Sequence, residues 1–115
     1  MLELENRRNN MFSKMANKSV CILFAGQAKI ASEDEFYPFK VNQHFFYLTN
    51  IKQERSILLL VKSLGETRTY LFVDEYDELK EKWTGKRLTF DEACELSNCK
   101  NVYSNKNFSS IVIFL

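Results

Sequence analysis

Residues 32–50 read SEDEFYPFKVNQHFFYLTN, and this stretch is the most informative part of the chain. It contains an acidic group, the only proline and six aromatic residues. Pro38 fixes its own φ angle and favours an extended backbone at Tyr37. Because residues 27–43 show no sustained hydrophobic period, we interpret them as a long loop, which is usually functional in a compact domain. The aromatic residues within Phe45–Thr49 favour a strand directly after this loop.

The sequence before the loop predicts a helix and then a strand. The apolar residues that fall on one stripe of a helical repeat are Leu4, Met11, Phe12 and Met15. With Arg7 and Arg8 on the wetter side, this stripe indicates an amphipathic first helix. Residues Val20–Ala25 form an uninterrupted apolar run that ends at Gly26. Such a run is typical of a central strand covered on both faces.

The sequence after the loop predicts a hairpin and then a helix. Ser56–Lys62 and Thr67–Val73 are strand-like segments joined by a short connection that contains a glycine. This spacing predicts an antiparallel hairpin. Asp74 is a suitable N-cap, so a helix is expected over residues 75–84.

The last part of the chain predicts another helix and two further elements. Thr89 and Glu92 have the spacing of a capping box, which predicts a short helix that stops at Asn98. Val102-Tyr103 is a candidate short strand. Residues 108–115 are compatible with either a helix or a strand.

This order of elements indicates an α/β domain with a single mixed β-sheet flanked by helices. At 115 residues, the chain fits one domain over residues 1–115. The chain ends on five apolar residues with no polar tail, so we expect a fragment of a longer protein.

Charge and hydropathy argue against several function classes. The chain has 16 Lys and Arg residues against 15 Asp and Glu residues, and a net charge of +1 supplies no long-range field for nucleic acid or an anionic membrane. Residues 1–10 are too polar for a secretion signal, and the apolar runs are far shorter than a membrane span. We therefore expect a cytoplasmic protein without nucleic-acid or membrane partners.

Residues suited to catalysis or metal binding are scarce. His44 is the only histidine, and a lone histidine beside aromatic residues is more often a packed or surface residue than a catalytic base. The acidic groups at residues 33–35 and 74–78 lack the ligand spacing of a calcium site, and no HExxH motif or paired cysteines suggest zinc. We expect neither a catalytic residue nor a metal ligand in this chain.

The three cysteines are Cys21, Cys94 and Cys99, an odd number with no CxxC spacing, so we interpret them as reduced thiols. On a continuous helix, Cys94 and Cys99 would point about 140° apart. A redox pair therefore requires the helix to stop between them, as Asn98 could arrange.

Several motifs in sequence order resemble the N-terminal domain of Xaa-Pro aminopeptidases and their prolidase and creatinase relatives. They are Arg7-Arg8 with the following helix, Val20–Gly26, Glu35–Thr49, Ile57–Val61, and the helix Asp74–Gly85 with Trp83–Leu88, which is similar to the family's Trp-x-Gly-x-Arg ending. The segment Glu35–Thr49 is the most recognisable of them. The resemblance covers most of the chain.

The resemblance implies a creatinase/aminopeptidase P N-terminal domain with a ribonuclease H-like mixed sheet. Full-length members are metallopeptidases that release the residue before proline, and their two manganese ions lie in a C-terminal pita-bread domain absent from this chain. The chain alone is therefore expected to be non-catalytic and to lack a cofactor of its own. The implied partners are its own catalytic domain, a second copy in a dimer, and peptides with proline at the second position.

The resemblance also implies candidate rim residues. Phe46 stands where the family often has a large ring, and we expect it at the substrate-side rim of the active site, with His44 and Tyr37 as further rim residues. Lys40 replaces the family's usual Arg and loses its planar fork. Asn50 replaces the family's usual Gly and is the residue type best able to keep a left-handed turn.

Two alternatives remain open at this point. The first is a stand-alone protein-interaction module that docks through its apolar terminal segment, and the downstream reading frame would distinguish it from an enzyme fragment. The second is a thiol-based redox protein that uses Cys94 and Cys99, for which a depressed thiol pKa is required.

Overall fold

The computed structural model describes residues 2–26, 30–32, 35–36, 40–74 and 88–113. Its helices are α1 (Leu2–Lys14), α2 (Gln43–Thr49), α3 (Phe90–Ser97) and α4 (Phe108–Ile113), with a 3-10 turn at Asn105–Asn107. Its strands are β1 (Ser19–Phe24), β2 (Ile30–Ser32), β3 (Glu35–Phe36), β4 (Ile57–Ser63), β5 (Glu66–Val73) and β6 (Val102–Ser104). Tyr37, the helix expected at residues 75–84 and residues 83–87 of the Trp-containing motif lie outside the described residues.

The main sheet has four strands in the order β1-β4-β5-β6. The pairs β1–β4 and β4–β5 are antiparallel, whereas β5 and β6 are parallel. Strands β2 and β3 form a separate antiparallel pair. The prediction of an α/β domain with a mixed sheet and flanking helices is therefore confirmed.

Local predictions in the second half of the chain are also confirmed. The β4–β5 connection is a two-residue turn in which Leu64 and Gly65 both have positive φ, at 52° and 80°, as a hairpin of this length requires. Thr89 and Glu92 form a capping box, and α3 ends at Asn98 in a left-handed conformation. The undecided segment from residue 108 is helical as far as Ile113.

The prediction that Val20–Ala25 forms a central strand is wrong. Within the described sheet, β1 lies at one edge and pairs with β4 alone. Its alternate residues Val20 and Phe24 are 51% and 57% exposed. The interior strands of the described sheet are β4 and β5, and Leu58–Val61 of β4 are buried. The apolar run of β1 arises because one of its faces contacts the core and the other is only partly covered.

The prediction of a strand at Phe45–Thr49 is also wrong, because these residues belong to the helix α2. The Oδ1 atom of Asn42 accepts the backbone N–H groups of His44 and Phe45, at 3.0 and 3.1 Å, and so caps the first turn. Asn50 ends the helix in a left-handed conformation with φ of 59°, as its replacement of glycine suggested. Two asparagine caps therefore outweigh the strand preference of the aromatic residues.

The two faces of the main sheet are covered differently. On one face, Leu58, Leu60, Leu71 and Val73 belong to a core cluster with Phe12 of α1, Phe45 of α2 and Ala93 of α3. On the other face, Leu59, Val61 and Phe72 contact Phe108, Ile111 and Val112 of α4. Among the described helices, none combines the length and the apolar character that crossing a bilayer requires.

Candidate functional site

Helical spacing divides the side chains of α2 between the core and the outer surface. Phe45, Leu48 and Thr49 are buried, while Tyr47 is 54% exposed. Because residues two apart on a helix do not face the same way, the predicted rim residues His44 and Phe46 lie on different sides of α2. The structure therefore does not bring these two residues together.

The Phe46 side of α2 carries a positive charge beside a half-buried ring. The Nζ atom of Lys52 lies 5.3 Å from the centroid of the Phe46 ring. This distance is within the range of a cation–π interaction. The ring keeps an open portion that can contact an apolar group outside the domain.

The His44 side of α2 borders a cavity of about 360 Å³ between α1, α2 and β1. Its apolar lining residues are Met11, Leu23 and Leu48, and its polar and aromatic lining residues are Arg7, Asn10, Lys14, His44 and Tyr47. The cavity thus combines an apolar lining with basic side chains. Such a surface can accept a group that has an apolar body and a negative charge.

Arg7 attaches α1 to the outer face of α2. Its Nη1 atom donates a hydrogen bond to the carbonyl of Tyr47 at 3.0 Å, and its guanidinium carbon lies 4.5 Å from the centroid of the Tyr47 ring. Its Nη2 atom also forms an ion pair with Glu3 at 2.5 Å. These contacts fix the exposed ring of Tyr47 against α1.

Arg8 joins three helices inside the domain. Nη1 donates hydrogen bonds to the carbonyls of Leu48, at 2.9 Å, and Ser97, at 2.8 Å, and Nη2 donates to the carbonyl of Asn98 at 2.9 Å. These carbonyls lie at the C-terminal ends of α2 and α3, where a cation complements both helix dipoles. Burial lowers the pKa of Arg8, and charge interactions with Cys99 and Glu5 oppose that shift.

The prediction that Arg8 lies on the wetter side of the first helix is wrong. Arg8 is only 5% exposed. The C-terminal carbonyls of two helices need donors, and a buried arginine can supply several of them at once. This arginine therefore sets the position of α2, and with it the position of the α2 aromatic residues.

Comparison with known proteins identifies the family of this chain. The sequence profile of the aminopeptidase P N-terminal domain matches residues 4–113. The chain belongs to this family. It is 32% identical over 110 residues to the Xaa-Pro aminopeptidase of Haemophilus influenzae, and the match covers 96% of this chain and 26% of that protein.

Solved structures share the fold of this aminopeptidase P N-terminal domain. Proline aminopeptidase P II from Yersinia pestis superposes with a TM-score of 0.88 at 30% identity, covering 98% of this chain and 26% of that chain. Zinc-substituted Escherichia coli aminopeptidase P in complex with product gives a TM-score of 0.90 at 27% identity, covering 99% and 26%. The resemblance inferred from the motifs is confirmed, and the chain spans about a quarter of the length of these relatives.

The donor groups described in this aminopeptidase P N-terminal domain do not fit a metal site. In residues 2–26, 30–32, 35–36, 40–74 and 88–113, no three His, Cys, Asp or Glu side chains lie close enough together to hold an ion. The Escherichia coli relative is described as zinc-substituted.

Cys99 lies in an environment that does not suit a reactive redox thiol. All three are free, and α3 does stop between Cys94 and Cys99. Burial raises the pKa of Cys99 and also that of Cys21. A reactive redox thiol needs a lowered pKa, so the environment of Cys99 disfavours the thiol-redox alternative.

Sequence reasoning missed Arg8 and Tyr47 as the residues that define the α2 surface. The signal for the helix was present in the separation of Asn42 and Asn50, which suits an N-cap and a left-handed C-cap around a short helix. The role of Arg8 had no comparable signal, because its partners lie 40 and about 90 residues away along the chain.

Proposed function

We propose that this chain is the non-catalytic N-terminal domain of a metal-dependent Xaa-Pro aminopeptidase, a hydrolase that releases the residue before proline. The observation that carries the proposal is the family match over residues 4–113, together with full-length relatives of which the chain covers about a quarter. In this proposal a separate C-terminal domain provides the catalytic metal centre, with manganese as its metal.

The α2 surface is assigned a role at the rim of that active site. The support is the exposed ring of Tyr47 and the half-buried ring of Phe46 on a helix that Arg7 and Arg8 contact. Phe46 is the proposed contact for a proline peptide, because its half-buried ring still offers apolar area at the surface of α2. His44 and Tyr37 remain proposed rim residues. We also propose that the full-length protein forms a dimer in the cytoplasm.

An activity measurement tests whether catalysis requires the C-terminal domain. The 115-residue chain, supplied with manganese, is expected to release no residue from an Xaa-Pro peptide, whereas the full-length protein is expected to do so. Release by the chain alone would contradict the non-catalytic assignment. An inactive full-length protein that binds manganese and is folded would contradict the aminopeptidase assignment.

Substitutions on opposite sides of α2 test the rim. In the full-length enzyme, Phe46→Ala is expected to lower kcat/KM for a proline peptide by about tenfold, since partial loss of one aromatic contact is worth about 1.4 kcal/mol. His44→Ala on the other side reports whether that side also contacts substrate. Phe90→Ala, at an exposed ring on α3, is the matched control and is expected to change nothing. Unchanged kcat and KM for Phe46→Ala would dismiss its role.

A further inference from the structure

The cavity on the His44 side of α2 lies between one stripe of α1 and one stripe of α2, and we call it the α1–α2 cavity. Its α1 wall consists of Arg7, Asn10, Met11 and Lys14, which stand three, four and seven positions apart from the first of them. Residues at this spacing share one face of a helix. The α1 residues of the cavity therefore form a single continuous wall.

The opposite wall of the α1–α2 cavity is a stripe of α2. Its residues are His44, Tyr47 and Leu48, which again have the spacing of one helix face. Leu23 of β1 lines the cavity from the sheet. The guanidinium of Arg7 connects the two walls, because it contacts both the carbonyl and the ring of Tyr47. The cavity is thus formed by three packed elements.

The polar side chains of the α1 wall are rich in N–H donors, and none of the described lining residues is Asp or Glu. Arg7 has five N–H donors, and its contacts with the Tyr47 carbonyl and with Glu3 use two of them. Among the residues that the structure describes, the side chains of Lys14 and Asn10 have no hydrogen-bond or ion-pair partner. Donors on this wall are therefore available to a ligand.

The charges around the α1–α2 cavity favour an anion with a single charge. Arg7 and Lys14 supply two positive charges to the lining. Glu3, one turn before Arg7, offsets one of them through its ion pair at 2.5 Å. One positive charge is left, and it lies at Lys14. A carboxylate matches this charge, whereas a phosphate monoester carries about −1.5 to −2 charges at neutral pH.

The remaining lining of the α1–α2 cavity is apolar. Met11, Leu23 and Leu48 supply aliphatic surface, and the ring of Tyr47 supplies an aromatic face. The volume of about 360 Å³ falls at the small end of the range for ligand cavities, about 300–1,000 Å³. Ligand cavities typically combine mostly apolar walls with a few polar groups. The α1–α2 cavity therefore suits a small molecule with an apolar body and one charged end.

We propose that the α1–α2 cavity binds a small carboxylic acid, with its carboxylate at Lys14 and its apolar body against Leu23 and the ring of Tyr47. The ring of His44 can donate a further hydrogen bond from the α2 wall. This inference goes beyond the proposed function and does not depend on it, because every group that it uses belongs to this domain. The site is also separate from the proposed peptide contact, because Phe46 lies on a different side of α2.

Calorimetric titration of the chain with octanoate tests the inference. Two analogues separate charge from apolar contact, because 1-octanol keeps the apolar body without a charge and octylamine reverses the charge. We expect octanoate to bind with a Kd below about 1 mM. We expect 1-octanol to bind at least about tenfold more weakly, because it cannot form charge-assisted hydrogen bonds, and octylamine not to bind measurably.

Three substitutions locate the binding. Lys14→Met removes the charge from the α1 wall, and Asn10→Trp fills part of the cavity with a larger side chain. Both positions are exposed on α1, so we expect both variants to fold, which circular dichroism verifies. Each variant is expected to weaken octanoate binding at least about tenfold. Lys100→Met, at an exposed lysine that does not line the cavity, is the matched control and is expected to bind octanoate as the unmodified chain does.

Each outcome either supports or overturns the proposed acid site. Octanoate binding that exceeds that of both analogues, is weakened in Lys14→Met and Asn10→Trp, and is kept in Lys100→Met would support it. Equal affinities for octanoate and 1-octanol would overturn it, because the cavity would then not recognise a carboxylate. Equal weakening in Lys14→Met and Lys100→Met would overturn it by assigning the binding to overall charge. No binding of octanoate by the folded, unmodified chain would also overturn it.

Discussion

Replacement of Arg8 by Met removes the connection between α1 and the ends of α2 and α3. Met is similar in length, so it fills much of the same space without a charge or a donor. The variant leaves the carbonyls of Leu48, Ser97 and Asn98 without the three hydrogen bonds that Arg8 donates. The perturbation therefore tests hydrogen bonding and charge at the two helix ends more than packing.

The structure sets the expected size of the effect. Each hydrogen bond from a charged donor is worth about 1.5–3 kcal/mol, and three of them are lost together. This loss of stability is partly offset, because folding of the variant no longer takes a guanidinium out of water, which costs several kcal/mol. The net loss of unfolding free energy is expected at about 3–5 kcal/mol. A domain of this size has about 5–15 kcal/mol in total.

Urea unfolding followed by circular dichroism measures this loss. With a slope of about 2 kcal/mol/M, the midpoint of Arg8→Met is expected about 2 M below that of the unmodified chain. Arg8→Lys keeps a charge but cannot reach all three carbonyls, so it is expected to lose about 2 kcal/mol. Arg7→Met is the matched control at the neighbouring, partly exposed position, and it is expected to lose about 1 kcal/mol or less. A loss for Arg8→Met no greater than that for Arg7→Met would refute the reasoning.

Three further predictions concern local elements. Asn50→Ala is expected to lower the free energy of unfolding in urea by about 1 kcal/mol, because alanine is strained at a φ of 59°. Asn50→Gly is expected to keep the stability of the unmodified chain. Equal free energies for the two variants would exclude a conformational cause. Thr89→Ala removes the capping box and is expected to lower the free energy of unfolding by about 1 kcal/mol. Thr67→Ala, at an exposed threonine, is expected to lower it by less than about 0.5 kcal/mol. The reverse order would contradict the contribution of this cap. Burial raises the pKa of Cys99 in the folded protein above its ordinary value of 9.0. The stability that the neutral thiol contributes is therefore complete below pH 9.0 and is lost as pH rises through the folded-state pKa. Unfolding measured between pH 8 and 10 is expected to show a smaller decline in Cys99→Ala, and an identical decline would rule out this thiol as its source.

Local chemistry made much of the fold predictable from the sequence. The β4–β5 hairpin and the capping box of α3 each depend on residues within a few positions of one another, so spacing was sufficient to place them. The segment Phe45–Thr49 was misassigned because its strand preference and its two asparagine caps gave opposing signals. The preference of aromatic residues for strands is weak and depends on context, and cap hydrogen bonds were able to outweigh it.

The organisation of the candidate site was less predictable because it depends on distant parts of the chain. Phe46 could be singled out by its motif, but the side to which it points followed only from the helical geometry of α2. The burial of Arg8 followed from the meeting of two helix ends whose sequence positions are about 50 residues apart. A charged residue on a helix is ordinarily assigned to solvent, and only the arrangement of α2 and α3 supplies the carbonyls that reverse this assignment.

The two faces of the sheet differ in how their covering helices are held. The face packed by α1, α2 and α3 contains Phe45 and is closed by Arg8, so α2 cannot shift without disturbing a buried network. On the face that carries α4, the described contacts of this helix are with Leu59, Val61 and Phe72, and Val20 and Phe24 of β1 are more than half exposed. The buried hydrogen bonds of Arg8 therefore make the face that carries α2 the more firmly held of the two, which is what a fixed position of the α2 aromatic residues requires.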